Sequence, residues 1–359
     1  VGEESAEGVK PVIQGEFHIL GTATGSIKFE GVALDGVKGK YGFAIQLKNG
    51  GGITNDVVLD EISFKNCEIF GFSKGLIYEW GQPLNAGKLN WESCYIHDIN
   101  SDGTGGGDVI DFRGAADKPL STIGAINIVD NTIVQGGRTF LRIDFPKSLG
   151  AIKFENNTLY NLCLSDNTNN VGLIGLQTAP TEMSFKHNLI LAMGEKAKLG
   201  AENTVASGGF DGYKYWHGFT SGNNHCFGNA ETFFNSVFTN AGFSTAAADP
   251  CYNAAAGDFN LTDNALVAAK VGASKWWTAF TKEPEDLTLG LISGNHTWNF
   301  GNPKFFSGTM KENMVRDLLF IGATGDNPIV SENNMLNFTS PAVCSRKGVP
   351  SAGYLAFKV

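Results

Sequence analysis

Charge is scarce in this chain of 359 residues. Asp, Glu, Lys and Arg make up 18% of it, 27 basic against 36 acidic residues, for a net charge of −9. There is no basic run to neutralise phosphates, so nucleic acid is not an expected partner. Long apolar runs are missing too. None approaches the roughly 18 residues of a membrane-spanning helix, so the sequence carries no membrane span. The six cysteines are scattered without metal-ligand spacing. His97, His187 and His225 stand alone, with no Ser or Cys partner at a suggestive offset. The pattern H-E-x-x-H and the P-loop are absent, and with them their metalloprotease and nucleotide chemistries.

What is abundant is glycine, at 46 residues, together with a repeat. One phrase recurs between Ile62 and Ile190. Its copies run Ile62 to Ile69, Leu89 to Ile96, Ile126 to Ile133, Ile152 to Leu159 and Met183 to Ile190. Each opens on an apolar residue. A second follows two places on (Phe64, Trp91, Ile128, Phe154, Phe185), then a small polar residue or Asn (Cys67, Cys94, Asn131, Asn157, Asn188). Spacing of two marks a strand with one buried face. Recurrence every 26 to 37 residues marks stacked coils, because one coil cannot bury its face alone. The Asn column is read as the bend: Asn tolerates left-handed backbone, and its amide can bond the amide one coil away. Trp91 falls in the inward column and is assigned to the core. Cys67 and Cys94 fall on adjacent coils, as buried thiols or as a disulfide.

A second strand aligns in each coil: Gly75 to Trp80, Asp108 to Arg113, Thr139 to Asp144 and Gly172 to Gln177. Alternation turns Ile77, Ile110, Phe112, Leu141, Ile143, Ile174 and Leu176 inward. It turns Tyr78, Trp80, Asp111, Arg113, Arg142, Asp144 and Gln177 outward. The fold class is therefore all-β: a right-handed single-stranded parallel β-helix over 1–265, then a C-terminal β-rich segment or small domain over 266–359. The stretch Ala248 to Asn253, then Gly257 to Leu261, reads as a closing coil. Residues 262–285 read as helical or irregular, with Trp276 and Trp277 as packing residues. Asn327 to Val330 followed by Met335 to Phe338 faintly echoes the first coil. The chain opens in strand-like sequence at Val1 and stops abruptly at Val359, as an excised piece of a longer protein would.

Several groups are candidates for chemistry. Asp111 is expected to stand over Arg142, and Arg113 over Asp144, as lateral ion pairs. On the other outer face Lys65 is expected to meet Glu92, and Glu155 to meet Lys186. Beside the first set, Tyr78 and Trp80 are exposed aromatics next to charges. Such a surface suits a sugar, with rings on the pyranose face and charges at the hydroxyls. The loop Ala197 to His217 holds Tyr213, Tyr215 and Trp216, either a hydrophobic lid or a ligand platform. Asp98, Asn100 and Asp102, with Asp108 beyond, place oxygens at alternate positions before a Gly-rich turn. They match the first half of a calcium loop, or a plain Asx-rich turn. Asn156, Asn260, Asn295 and Asn337 match the glycosylation acceptor pattern.

The solenoid, its Asn column and the Asp249-Pro250 … Gly257 to Leu261 ending resemble the pectin-lyase-like superfamily of parallel β-helices over about residues 10–265. More closely, the chain is similar to β-helical modules of gut and rumen Bacteroidetes, and best to the xylan-binding carbohydrate-binding modules of family 89. That resemblance implies a non-catalytic module that binds a plant cell-wall polysaccharide, xylan first. It also implies a secreted or cell-surface bacterial protein fused to catalytic modules. It carries over no residue. The alternative from the same superfamily is a calcium-dependent polysaccharide lyase on pectin or another uronate polymer.

Overall fold

The computed structural model describes residues 10–19, 24–48, 57–80, 82–100, 107–114, 120–164, 172–194, 220–228, 243–245 and 248–277, together with short strands between 297 and 356. Tyr213, Tyr215, Trp216 and Asp102 lie outside the described residues. Contacts divide the chain into two units, 1–280 and 281–359.

The first unit is a parallel β-helix with three long sheets of nine, six and seven strands, called A, B and C below. From Val12 to Lys186 each coil gives a strand to A, then B, then C, and every strand of these sheets pairs in parallel with its counterpart one coil away. The repeat phrase is the end of a C strand, a corner and the following A strand. Thus Val57–Lys65 in sheet C leads to Glu68–Phe70 in sheet A, and Leu84–Glu92 leads to Tyr95–Ile99. The register is the one the spacing predicts. Ile62, Leu89, Ile126, Ile152 and Met183 align, as do Phe64, Trp91, Ile128, Phe154 and Phe185. All ten are buried. Phe29 stacks on Phe64 at 5.2 Å and Phe64 on Trp91 at 5.7 Å; Phe154 stacks on Phe185 at 5.1 Å. Each such stack adds about 0.5–1.5 kcal/mol beyond area burial.

The C-to-A corner departs from expectation in one respect. The left-handed residue is not the Asn of the column but the residue before it: Asn66, Ser93, Asp130, Asn156, His187 and Asn223, with φ between 49° and 62°. Gly31 holds the same place one coil earlier, at 65°. The Asn column itself forms a buried amide ladder. Asn131 Nδ2 donates to Asn157 Oδ1 at 3.1 Å, Asn157 Nδ2 to Asn188 Oδ1 at 3.0 Å, and Asn188 Nδ2 to Asn224 Oδ1 at 3.0 Å. Each Oδ1 also accepts the backbone N–H of the ladder residue one coil before. The ladder therefore satisfies corner amides that neither sheet can reach. Cys67 and Cys94 extend the column as free, buried thiols.

On the outer face of sheet C, Lys65 meets Glu92 at 3.2 Å as expected. Glu155 is in register with Lys186, but its carboxylate accepts from Ser184 Oγ. A neighbouring hydroxyl on the next strand is nearer than the end of a long lysine.

The segment 248–261 is not a closing coil. Cys251–Asn253 pairs antiparallel with Asp258–Leu261 around a left-handed Gly257, and this hairpin folds onto the outside of sheet A. A helix at Asn264–Ala268, capped by Asp263, and a 3-10 turn at Ser274–Trp276 continue as a strap. The strap runs back along the corner, and the outward groups of the left-handed column hold it. His187 Nδ1 donates to Ala269 O at 3.0 Å, Asn156 Nδ2 to Lys270 O at 2.7 Å, and Asp130 accepts from Ser274 N at 2.5 Å. Trp276 Nε1 donates to Thr132 Oγ1 at 2.7 Å, and its ring meets Phe259 at 5.5 Å. A second apolar core of Leu189, Leu191, Phe259, Leu261, Leu266 and Val271 fills the space beneath. We expect Trp276→Ala to lower unfolding free energy by about 2 kcal/mol, since it removes half-buried apolar area and one part-buried hydrogen bond. Urea titration followed by circular dichroism measures this.

In the second unit the described strands are antiparallel. Ile329–Val330 pairs with Met335–Asn337, which pairs with Thr297–Asn299. Leu318–Gly322 pairs with Ala342–Arg346 and with Leu355–Ala356. The segment that echoes the first coil therefore differs from it, because the coil strands pair in parallel.

Candidate functional site

The outer face of sheet B collects the residues that alternation turns outward. Gly75–Trp80, Ile110–Arg113 and Thr139–Asp144 lie side by side. Tyr78 aligns with Asp111, and Asp111 with Arg142; Trp80 aligns with Arg113, and Arg113 with Asp144. Gln177 follows the next strand, and its N–H bonds Ile143 O. Six predicted residues thus come from three successive coils to one surface. The backbone of Trp80 is among them, but its side chain lies outside the described residues.

The ion pairs run differently from the lateral pairs that register alone implies. Side chains two apart on one strand share a face, and both arginines bond along their own strands. Arg113 Nε donates to Asp111 Oδ1 and Oδ2 at 2.9 and 3.0 Å, and Arg142 Nη2 donates to Asp144 Oδ2 at 2.6 Å. Both then reach the same deeper carboxylate, Asp108, which sits in the bend before its strand. Asp108 receives Arg142 Nη1 at 3.1 Å and Arg113 Nη2 at 3.4 Å. It also receives Arg138 Nε at 2.8 Å and Nη2 at 2.5 Å. Asp108 is fully buried, and Asp111 and Asp144 nearly so, although the last two belong to an outer face. Three guanidiniums cover them.

Electrostatics separate the carboxyls. Burial pushes the Asp108 carboxyl up, but the guanidiniums of Arg138 and Arg142 outweigh it and hold it below the usual carboxylate range. Asp111 is pushed up to about 6, first by burial and then by the charge of Asp108, with Arg113 acting against both. Burial opposes the charge of Arg113 and Arg142, yet the carboxylates overcome it and raise both.

Tyr78 also differs from expectation. Phe43 of the preceding coil stacks on it at 4.7 Å, and the guanidinium carbon of Arg113 lies 5.8 Å from its ring centre. Its ring is covered by protein on its faces, so it offers a ligand its edge. Burial raises the Tyr78 phenol.

Of the four calcium candidates, Asp102 lies outside the described residues, and Asp98, Asn100 and Asp108 are described. Asp98 and Asn100 are left-handed residues of the A-to-B corner, a place filled in the next two coils by Gln135 and Gly137, then Asn161 and Cys163. Backbone geometry explains the Asx residues there. Asp98 Oδ2 bonds His97 Nδ1 at 2.8 Å, and Asn100 is buried. Asp108, engaged by three arginines, is not available to a cation. Among the described residues no group of three or more His, Cys, Asp or Glu could hold a metal ion.

Sequence reasoning missed Arg138, Phe43 and Glu79. Arg138 had a signal: it and Asp108 are opposite charges just before two aligned strands. Glu79 had one too, as it lies between outward Tyr78 and Trp80. It stands in the inward row with Leu47 and Phe112, buried, and accepts from Ser121 Oγ at 3.1 Å. Phe43 opens the strand Phe43–Lys48, which pairs in register with Gly75–Trp80. Comparison with known proteins finds no family model, no curated protein and no solved structure that matches this chain.

Proposed function

We propose that this chain is a non-catalytic carbohydrate-binding module for a plant cell-wall polysaccharide, xylan first, and that the outer face of sheet B is its binding surface. The observation that carries this reading is the alignment of Tyr78, Asp111, Arg113, Arg142 and Asp144 on one rigid face. The ion cluster fixes the guanidiniums before any ligand arrives, so little conformational entropy remains to be lost on binding. Arginine and tyrosine edges hydrogen-bond sugar hydroxyls, and an aromatic beside them can stack on a pyranose. A lyase reading asks for a base of lowered pKa at this face. Arg113 and Arg142 are both raised, held as cations by their carboxylates. Secretion, and fusion to polysaccharide-degrading enzymes, follow from the same reading.

Affinity electrophoresis in xylan gels tests it. Trp80→Ala and Arg113→Ala are each expected to weaken retardation about tenfold, equal to loss of one stacking or charge-assisted contact. Trp216→Ala tests the loop in the same gel. If all three variants migrate with wild type, the sugar surface is not here. Appearance of an unsaturated, ultraviolet-absorbing product from polygalacturonate would overturn the non-catalytic reading.

A further inference from the structure

Arg113 differs from its two neighbours in the ion cluster. Its side chain is 32% exposed, against 10% for Arg138 and 13% for Arg142. Its Nε serves Asp111, and its Nη2 serves Asp108 and Asp111. Nη1 meets no acceptor among the described residues. The guanidinium plane is nonetheless fixed, by two carboxylates on one side and the Tyr78 ring beneath. A fixed, partly exposed guanidinium edge with donors to spare matches a carboxylate better than it matches a neutral hydroxyl.

We infer that the outer edge of Arg113 is a subsite for a sugar carboxylate, so that the preferred glycan on this face carries uronic acid groups. The inference rests on the glycan-binding reading above and narrows it from any xylan to acid-substituted chains.

The charge balance of the cluster gives this subsite a pH dependence. Three arginines face three aspartates, so the face is neutral when all are ionised. Asp111 faces Arg113 on its own strand, Tyr78 on the preceding coil, Arg142 and Asp144 on the following coil, and Asp108 and Arg138 in the bends behind. Its carboxyl, pushed up to about 6 by burial and by the charge of Asp108, takes a proton before that of Asp108 does. Arg113 then loses half of its counter-charge, and the face becomes cationic. A uronate titrates at roughly 3.5, like other unperturbed carboxyls, and stays anionic at pH 5. Acidic glycan therefore binds tighter as pH falls from 7.5 to 5, and a neutral glycan does not respond.

Titration calorimetry on the full chain tests this with glucuronoxylan and with the same polymer after chemical reduction of its carboxyls. The expected preference for the acidic form is about tenfold at pH 5, falling to about twofold at pH 7.5. Asp111→Asn, which mimics the protonated carboxyl, keeps the preference high at both pH values. Arg113→Gln brings the ratio of the two affinities to about one. Equal wild-type affinity for both polymers at both pH values overturns the inference and leaves the glycan reading standing. Absence of binding to either polymer overturns both. If Asp111→Asn does not fold, as judged by circular dichroism, the wild-type ratio at the two pH values decides alone.

Discussion

Asp108→Asn is expected to cost about 3–5 kcal/mol of unfolding free energy at pH 7, the usual penalty for removing one member of a buried ionic group. The carboxylate is fully buried and is shared by Arg138, Arg142 and Arg113. The amide can accept from one guanidinium but cannot balance the charge of three. Arg138, itself nearly buried, is left most exposed to the loss. The pH dependence has a definite sign. The folded-state value of Asp108 is depressed, so its stabilisation is present above the ordinary carboxyl range and is lost as pH falls through the folded value. Asp111 has the opposite sign. Its folded value is raised, so its contribution is fullest below the unfolded value of 3.8 and is lost as pH rises through about 6. Urea unfolding of wild type and Asp108→Asn should thus show a wide gap at pH 7 that narrows in acid. A gap of the same size at pH 7 and pH 3 would refute the assignment of Asp108 as the hub.

Asn157→Leu is expected to cost about 4 kcal/mol, with the loss confined to the coils on either side. Asn157 Oδ1 accepts from Asn131 N at 3.0 Å, and its Nδ2 donates to Ile128 O at 2.8 Å. Leucine has nearly the same volume, so packing survives and the polar loss stands alone. One backbone N–H and one carbonyl are left buried without a partner, at about 1–3 kcal/mol each. Both amide–amide links of residue 157 are lost, but Asn131 Nδ2 keeps Trp91 O, and Asn188 Oδ1 keeps the backbone N–H of residue 157, so the cut stays local. Hydrogen exchange should show faster opening at Asn131 and its neighbours, with remote coils unchanged, as expected of a stack held by nearest-neighbour contacts. Uniform acceleration across all coils would show that the ladder acts on the solenoid as a whole.

How much of this was legible beforehand follows from the range of each interaction. The strand register was legible because it is a local period: Phe64, Trp91, Phe154 and Phe185 recur at the same place in each copy. A one-residue slip would turn them all outward. The same period placed Tyr78, Asp111, Arg113, Arg142 and Asp144 on one outer face. The corner conformation was misread by one residue, because Asn156 and Asn157 are the same residue type. Only the backbone shows that the first takes the left-handed turn while the second makes the ladder.

The sequence by itself determined the stacked coils, their register, the aromatic core and the membership of the charged face. Those depend on side-chain alternation and repeat spacing, which any reading of the chain can count. The tertiary structure alone decided which arginine serves which aspartate, that Asp108 is the hub, that Phe43 and Arg113 cover the Tyr78 ring, and that 248–277 straps the outside of sheet A. Each of these is a choice among several partners within reach, and burial and distance in three dimensions make that choice.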